Sequence, residues 1–299
     1  MASYREWGGT ASPPRIAIVD WREVPTYSEF EILRDAFTAR GVPTVICDPR
    51  DLEHRPATVV SGLGRTGTAS VPGLYAQGER IDLLYRRVLI NDILAREADC
   101  GALLEAYRSR TVCVANSLRC KIPHKKAFFA VLTDERYAGL YTDEEREMIR
   151  RHVPWTALVE ERRVMVDGAS VDLIPLLRTQ REEFVIKPND EYGGTGVTLG
   201  WETSESDWDA AIARAIGGQD GGWVAQRRIA VRREMFPVCE ADSAEASAGR
   251  VVRRDMLVDF APYIFRGKLA GFLTRLSSSG LANVTSGGGQ VPAFVVRSR

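Results

Sequence analysis

Residues 184–197, Phe-Val-Ile-Lys-Pro-Asn-Asp-Glu-Tyr-Gly-Gly-Thr-Gly-Val, constrain this chain more than any other stretch. A short apolar run bounded by turn residues predicts a buried strand. It ends on Lys187 and Pro188, passes a carboxylate at Glu191 and enters a loop holding Gly193, Gly194 and Gly196. A lysine can neutralise phosphate charge, and a glutamate can offer oxygen to a divalent metal. Glycines let backbone N–H groups approach phosphate oxygens without side-chain obstruction. No Gly-Lys-Ser/Thr follows the glycines, so the segment is not a P-loop. A plain hairpin is the alternative reading of a strand followed by a glycine turn.

A second glycine-rich block, residues 271–295, shifts the balance toward a ligand site. It predicts a strand ending at Arg275, a polar stretch with Asn283, and then Gly287, Gly288 and Gly289. Such a loop is too polar to add to a core and suits a flap over an anionic ligand. Between the blocks, Trp223-Val224-Ala225-Gln226 reads as an apolar strand whose edge amides can face an adenine base. Upstream, His124-Lys125-Lys126 opens a helical pattern carried by Ala127, Phe128, Val131 and Leu132.

These three elements, a lysine pair heading a helix, a strand-Lys-Pro-x-x-Glu-x-Gly-Gly block, and a late arginine followed by glycines, stand in the order seen in ATP-grasp proteins. The sequence resembles the branch that holds eukaryotic-type glutathione synthetase, glutathionylspermidine synthetase and the circularly permuted bacterial ATP-grasp proteins. The resemblance implies ATP and Mg2+ as cofactors. It places one of Lys125 and Lys126, together with Lys187, on the ATP phosphates, with Gly193, Gly194 and Gly196 beside them and Glu191 bridging to magnesium. Val224 and Gln226 would then hold adenine, Gly287, Gly288 and Gly289 would form a lid, and Arg275 would act on an acyl phosphate or on the acceptor's transition state. The implied activity is ATP-dependent ligation of a small-molecule or peptide carboxylate to an amine or thiol. The resemblance also implies a metal-binding strand with an Asp and a Glu-x-Asn pair ahead of the first lysine, and none occurs upstream of Lys125. Met1–Gly9 reads like the end of a helix with a glycine stop, so the expectation is a polypeptide lacking an upstream region, which then binds nucleotide poorly or needs a partner chain to supply the metal carboxylates; an incomplete, non-catalytic nucleotide-binding module is the alternative to a ligase. Asp259 reads as a strand-end residue capping the turn before Pro262, with metal ligation the alternative.

The expected architecture is α/β: a tail over 1–14, a Rossmann-like parallel-sheet substrate domain over 15–122, and an ATP-grasp domain over 123–299. Arg15–Asp20 predicts a strand, and Thr26 or Ser28 caps a helix with Phe30, Leu33 and Phe37 on one face. Gly41 ends it before a strand at Thr44–Cys47. A strand-helix-strand unit implies a parallel sheet. Ligands of such sheets gather where strand ends meet helix starts, which selects Asp20, Arg22, Thr26, Tyr27 and Ser28, with turn capping as the plainer role. Residues 54–78 read as a loop, and Ile81–Tyr85 as a strand delivering Arg86 and Arg87, a pair suited to carboxylate or phosphate. Asn283, in the polar stretch before the late glycines, completes the expected substrate contacts.

Forty Lys and Arg balance forty Asp and Glu, so no global field recruits nucleic acid or an anionic membrane. No apolar run approaches the roughly 20 residues that span a bilayer, and a cytoplasmic protein is expected. Arginines at 227, 228, 232, 233, 253 and 254 read as solvated faces. Five cysteines form no CxxC pair and three histidines lack ligand spacing, which argues against zinc.

Overall fold

The apolar run Ile16–Val19 is buried along its whole length, the pattern of a parallel strand covered on both faces. It belongs to the first of two units, Met1–Ile122 and Pro123–Arg299, of a computed structural model that describes residues 1–57, 71–218, 222–240, 250–280 and 289–296. The first unit runs α1 (Ala2–Trp7), β1 (Ile16–Val19), α2 (Tyr27–Thr38), β2 (Thr44–Cys47), β3 (Leu52–Arg55), β4 (Gly73–Ala76), β5 (Glu79–Ile81), β6 (Leu83–Arg86), α3 (Ile90–Ala95), α4 (Gly101–Arg108) and β7 (Cys113–Ala115). Its main sheet has the order β2-β1-β6-β7 and is parallel throughout. Helix α2 connects β1 to β2 and helices α3 and α4 connect β6 to β7, whereas β3, β4 and β5 lie between β2 and β6; Ala17, Val19, Leu84, Ile93, Leu103 and Ala106 belong to the core. The expected strand-helix-strand unit is present. Thr26 is the residue before α2, but its side chain makes no capping hydrogen bond.

Two readings change. Part of the segment read as a loop over 54–78 is strand, because β3, β4 and β5 form a small antiparallel sheet that buries Leu74, Ala76 and Ile81. Residues 58–70 lie outside the described residues. The first fourteen residues, expected as a tail, carry α1, whose Tyr4 packs with Ile16, Leu83 and Cys113. Gly8, at φ 103°, stops that helix as its amide turns back to Arg5 O. A Cβ at Gly9 would lie 2.1 Å from the Tyr4 ring, so only glycine fits there.

The boundary falls within the short helix α5 (Lys121–His124), and the second unit runs through α6 (Ala127–Thr133), α7 (Asp143–His152), β8 (Thr156–Leu158), β9 (Arg163–Val166), β10 (Ala169–Asp172), α8 (Leu173–Thr179), β11 (Phe184–Pro188), β12 (Thr198–Leu199), α9 (Glu205–Gly217) and β13 (Trp223–Arg227). Strands β14 (Arg233–Glu240), β15 (Arg250–Phe265), β16 (Lys268–Ser277) and β17 (Gly289–Val291) follow. One antiparallel sheet has the order β12-β11-β13-β8 and is covered by α8 and α9, which bring Leu173, Leu177, Trp208, Ala211 and Ile212 against Phe184, Ile186 and Ala225. The Trp208 indole N–H is satisfied by Leu177 O at 2.8 Å. A second antiparallel sheet has the order β14-β15-β16-β17. The fold is therefore α/β, with a parallel sheet in one unit and antiparallel sheets in the other. Among the described residues no helix is long and apolar enough to cross a membrane.

Candidate functional site

β11 is buried over Phe184–Ile186 and surfaces at Lys187 and Pro188. The Lys187 ammonium is half-buried, donates to Gln226 Oε1 at 2.7 Å and forms no ion pair among the described residues. Gln226 in turn donates from Nε2 to Thr156 Oγ1 at 3.0 Å, and Thr156 donates to Pro154 O at 2.8 Å. A neutral relay across β11, β13 and β8 thus fixes a cation without neutralising it. Burial, and then the nearby charge of Lys126, push the Lys187 pKa below the usual lysine range.

Asn189, 5% exposed, ties the start of α6 to the end of β11. Its backbone carbonyl accepts from the Lys126 N–H at 3.0 Å and its Oδ1 from the Ala127 N–H at 2.8 Å. Lys126 Nζ reaches the Glu191 carbonyl, while Lys125 pairs with Asp190 at 3.7 Å. The loop then turns through Gly193 at φ 67°, Gly194 at φ 83° and Gly196 at φ 71°. All three are left-handed positions that favour glycine. At Gly196 a Cβ would also lie 2.7 Å from Pro188 Cγ. Lys125, Lys126, Lys187, Glu191 and the three glycines are therefore gathered at one end of one sheet.

Other expected residues stand differently. β13 lies between β11 and β8, paired on both sides. Val224 and Gln226 are not on a sheet edge, their backbone groups serve the ladder, and the Gln226 side chain serves Lys187. Arg275 faces Asp259 across β15 and β16, with Nε to Oδ2 at 2.7 Å, so its charge is already met. Asp259 accordingly sits mid-strand instead of capping a turn. Gly289 opens β17 opposite Leu276 and is a strand residue. Gly287, Gly288 and Asn283 lie outside the described residues.

In the first unit, Arg86 is 6% exposed and donates to Asn116 O at 2.7 Å, to Val88 O and to Cys120 Sγ at 3.0 Å. It is a buried clamp in which each guanidinium nitrogen donates to a carbonyl or sulfur inside the protein, which does not favour the expected substrate contact. Arg87 is half-buried and pairs with Glu29 at 3.0 Å. Tyr27 and Ser28 open the same helix that carries Glu29, and Tyr27 packs edge-on against Phe30. The arginines at 227, 232 and 233 face Asp167, Glu234 and Asp255. Burial raises the Cys47 thiol to about 12 and the Cys100 thiol to about 11, so both remain neutral small hydrophobes.

The donor set does not fit a magnesium ion held by the protein. Glu191 is exposed, Asp190 faces Lys125 at 3.7 Å and His124 at 3.8 Å, and no group of three His, Cys, Asp or Glu gathers among the described residues. The expected metal site is not supported, since one free carboxylate falls short of an oxygen cage. Sequence reasoning missed Asn189 and the side-chain role of Gln226. An Asx residue directly after a strand was the available signal for the first.

No family model matches the chain. It is 24% identical over 235 residues to an uncharacterized protein of Mycobacterium leprae, covering 74% of this chain and 37% of that protein. Uncharacterized proteins of Mycobacterium bovis and Mycobacterium tuberculosis are each 25% identical over 239 residues, 75% of this chain and 38% of theirs. The chain thus spans less than two fifths of the length of these curated relatives. Among solved structures, D-cycloserine synthetase DcsG matches 72% of this chain and 59% of its own at 17% identity, with a TM-score of 0.38.

Proposed function

We propose that the end of β11 and its glycine loop bind the phosphates of a nucleoside triphosphate, ATP by sequence resemblance, in an ATP-dependent carboxylate–amine or carboxylate–thiol ligase. One observation carries this reading. Lys187 is a half-buried cation held by a neutral amide instead of a carboxylate, and a second cation, Lys126, stands near it. Burying charge without a counterion is costly, and an anionic ligand offsets that cost. The left-handed glycines leave the loop backbone open to close approach by phosphate oxygens. In such a ligase the γ-phosphoryl group passes to a carboxylate oxygen with release of ADP. An amine or thiol then attacks the acyl carbon and expels phosphate. Lys187 and Lys126 would stabilise charge on the phosphoryl oxygens, and Gln226 would hold Lys187 in place. Magnesium enters this reading only as the resemblance implies it. Calorimetric titration with a non-hydrolysable ATP analogue tests it: the chain should bind, and Lys187→Ala should bind at least about tenfold more weakly.

A second reading, a nucleotide-binding module that does not catalyse alone and acts with a partner chain, is favoured by the unfitted metal site and by the pairing of Arg275 with Asp259. Substrate-dependent ADP release by the purified chain would exclude it.

A further inference from the structure

The parallel sheet of the first unit carries a second polar constellation. Its order, β2-β1-β6-β7, reverses between β1 and β6, and open α/β sheets bind ligands in the crevice beyond the strand ends at such a reversal. Val19 pairs with Arg86, so the next residues, Asp20 and Arg87, leave neighbouring strand ends side by side. The N–H groups of Arg87 and Val88 both close onto Val19 O, at 2.9 and 3.0 Å, and fix this exit.

Three side chains here are incompletely satisfied. The half-buried Asp20 carboxylate accepts one hydrogen bond, from the Trp21 N–H at 2.9 Å, and has no ion pair among the described residues. Trp21 is 4% exposed, and its buried indole N–H has no acceptor. The buried Nε–H of Arg87 has none either, although its Nη2 holds Glu29 at 3.0 Å and its guanidinium lies 5.3 Å from the centre of the Phe30 ring. Buried donors in folded proteins are ordinarily paired; Trp21 adjoins Asp20 in sequence and the charge of Arg87 acts on the Asp20 carboxylate, so this strand exit holds two unmet donors and a carboxylate with spare lone pairs.

We propose that this crevice binds a small zwitterion, its carboxylate on Arg87 and the Trp21 indole N–H and its ammonium on Asp20. Charge selects this class over a phosphate ester. Arg86 is sealed by internal acceptors and the Arg96 and Arg50 guanidiniums lie 4.6 and 5.6 Å from the centre of the Trp21 ring, while Glu29 pairs with Arg87 and Asp92 adds negative charge beside Asp20, so charge of both signs meets here, as a zwitterion requires and a phosphate ester does not. Burial, assisted by Asp92, raises the Asp20 pKa against the pull of the Trp21 amide and of Arg87, and a bound ammonium relieves that cost. The inference stands apart from the nucleotide reading, which depends on Lys187 in the other unit.

Saturation-transfer NMR of the full chain with the common α-amino acids at millimolar concentration tests it. At least one should bind, its N-acetyl and carboxamide derivatives should bind about tenfold more weakly, and Asp20→Asn and Arg87→Gln should each lower affinity by about the same factor. Melting curves of both variants establish that they fold. The proposal is overturned if no α-amino acid binds the folded chain, if the acetylated or amidated forms bind as well as the parent, or if Asp20→Asn leaves the affinity unchanged. Nucleotide titration of the same variants reads the other site, so either reading can fail alone.

Discussion

Lys187 and Asp48 show how single charges are handled in opposite ways. Lys187 is held by an amide and its pKa is lowered, so its charged form is disfavoured until an anion arrives. Binding of a triphosphate analogue should therefore take up a proton at alkaline pH and strengthen as pH falls through the lowered pKa. Titrations in two buffers of different ionisation heat should detect that uptake, and Lys187→Ala should abolish it. Asp48 is buried but saturated, accepting from Arg50 Nε and Nη2, both at 2.7 Å, and from the N–H groups of Arg50 and Arg22. Burial would raise its pKa, yet these donors outweigh it and hold the carboxyl at about 2 against an ordinary 3.8. Its stabilisation is thus complete above the ordinary value and lost as pH falls from there through about 2. Asp48→Asn should cost about 2–3 kcal/mol in urea denaturation at neutral pH, with the difference narrowing in acid. The Lys187 environment was not legible in the sequence, because Gln226 lies far along the chain; for Asp48 only the Arg22 amide is remote, since Arg50 stands two residues away.

At the scale of elements, strands framed by turn residues were legible and long-range satisfaction was not. β1, β2, β11 and β13 follow from their apolar runs, and the Lys-Pro turn into glycines marks the end of β11. β4 was hidden because Gly73-Leu-Tyr-Ala is short and follows a segment rich in Gly, Thr and Ser. Arg86 misled for another reason: a Tyr-Arg-Arg segment looks solvent-facing until the carbonyls of Val88 and Asn116 close around it. Glycines in the β11 region separate fold from site. A Cβ at Gly200 would lie 1.9 Å from Arg181 O and 2.8 Å from Phe184 O, so Gly200→Ala should destabilise the unit by about 3 kcal/mol in thermal or urea melts. Gly194 sits at φ 83° in an exposed loop, and Gly194→Ala should cost only about 1 kcal/mol of stability while weakening nucleotide binding. Equal stability losses from the two substitutions would contradict this division.

At the scale of the whole molecule, each unit has its own core, one around Val19, Leu84 and Leu103 and the other around Phe184, Leu177 and Trp208. Residues 1–122 expressed alone should therefore unfold cooperatively in urea, and a non-cooperative profile would show that this core does not stand by itself. The α/β class was legible from strand-helix alternation, and the cation–glycine constellation from its motif. The reassigned Arg275 was not, because its partner Asp259 stands on the neighbouring strand. Lys187, a half-buried cation held by a neutral amide, is the residue on which nucleotide binding should depend. The most direct measurement is calorimetric titration of the full chain and of Lys187→Ala with a non-hydrolysable ATP analogue. Micromolar binding, roughly 8 kcal/mol, that weakens at least about tenfold in the variant is the predicted result. Equal binding by both proteins, or none by either, would contradict it.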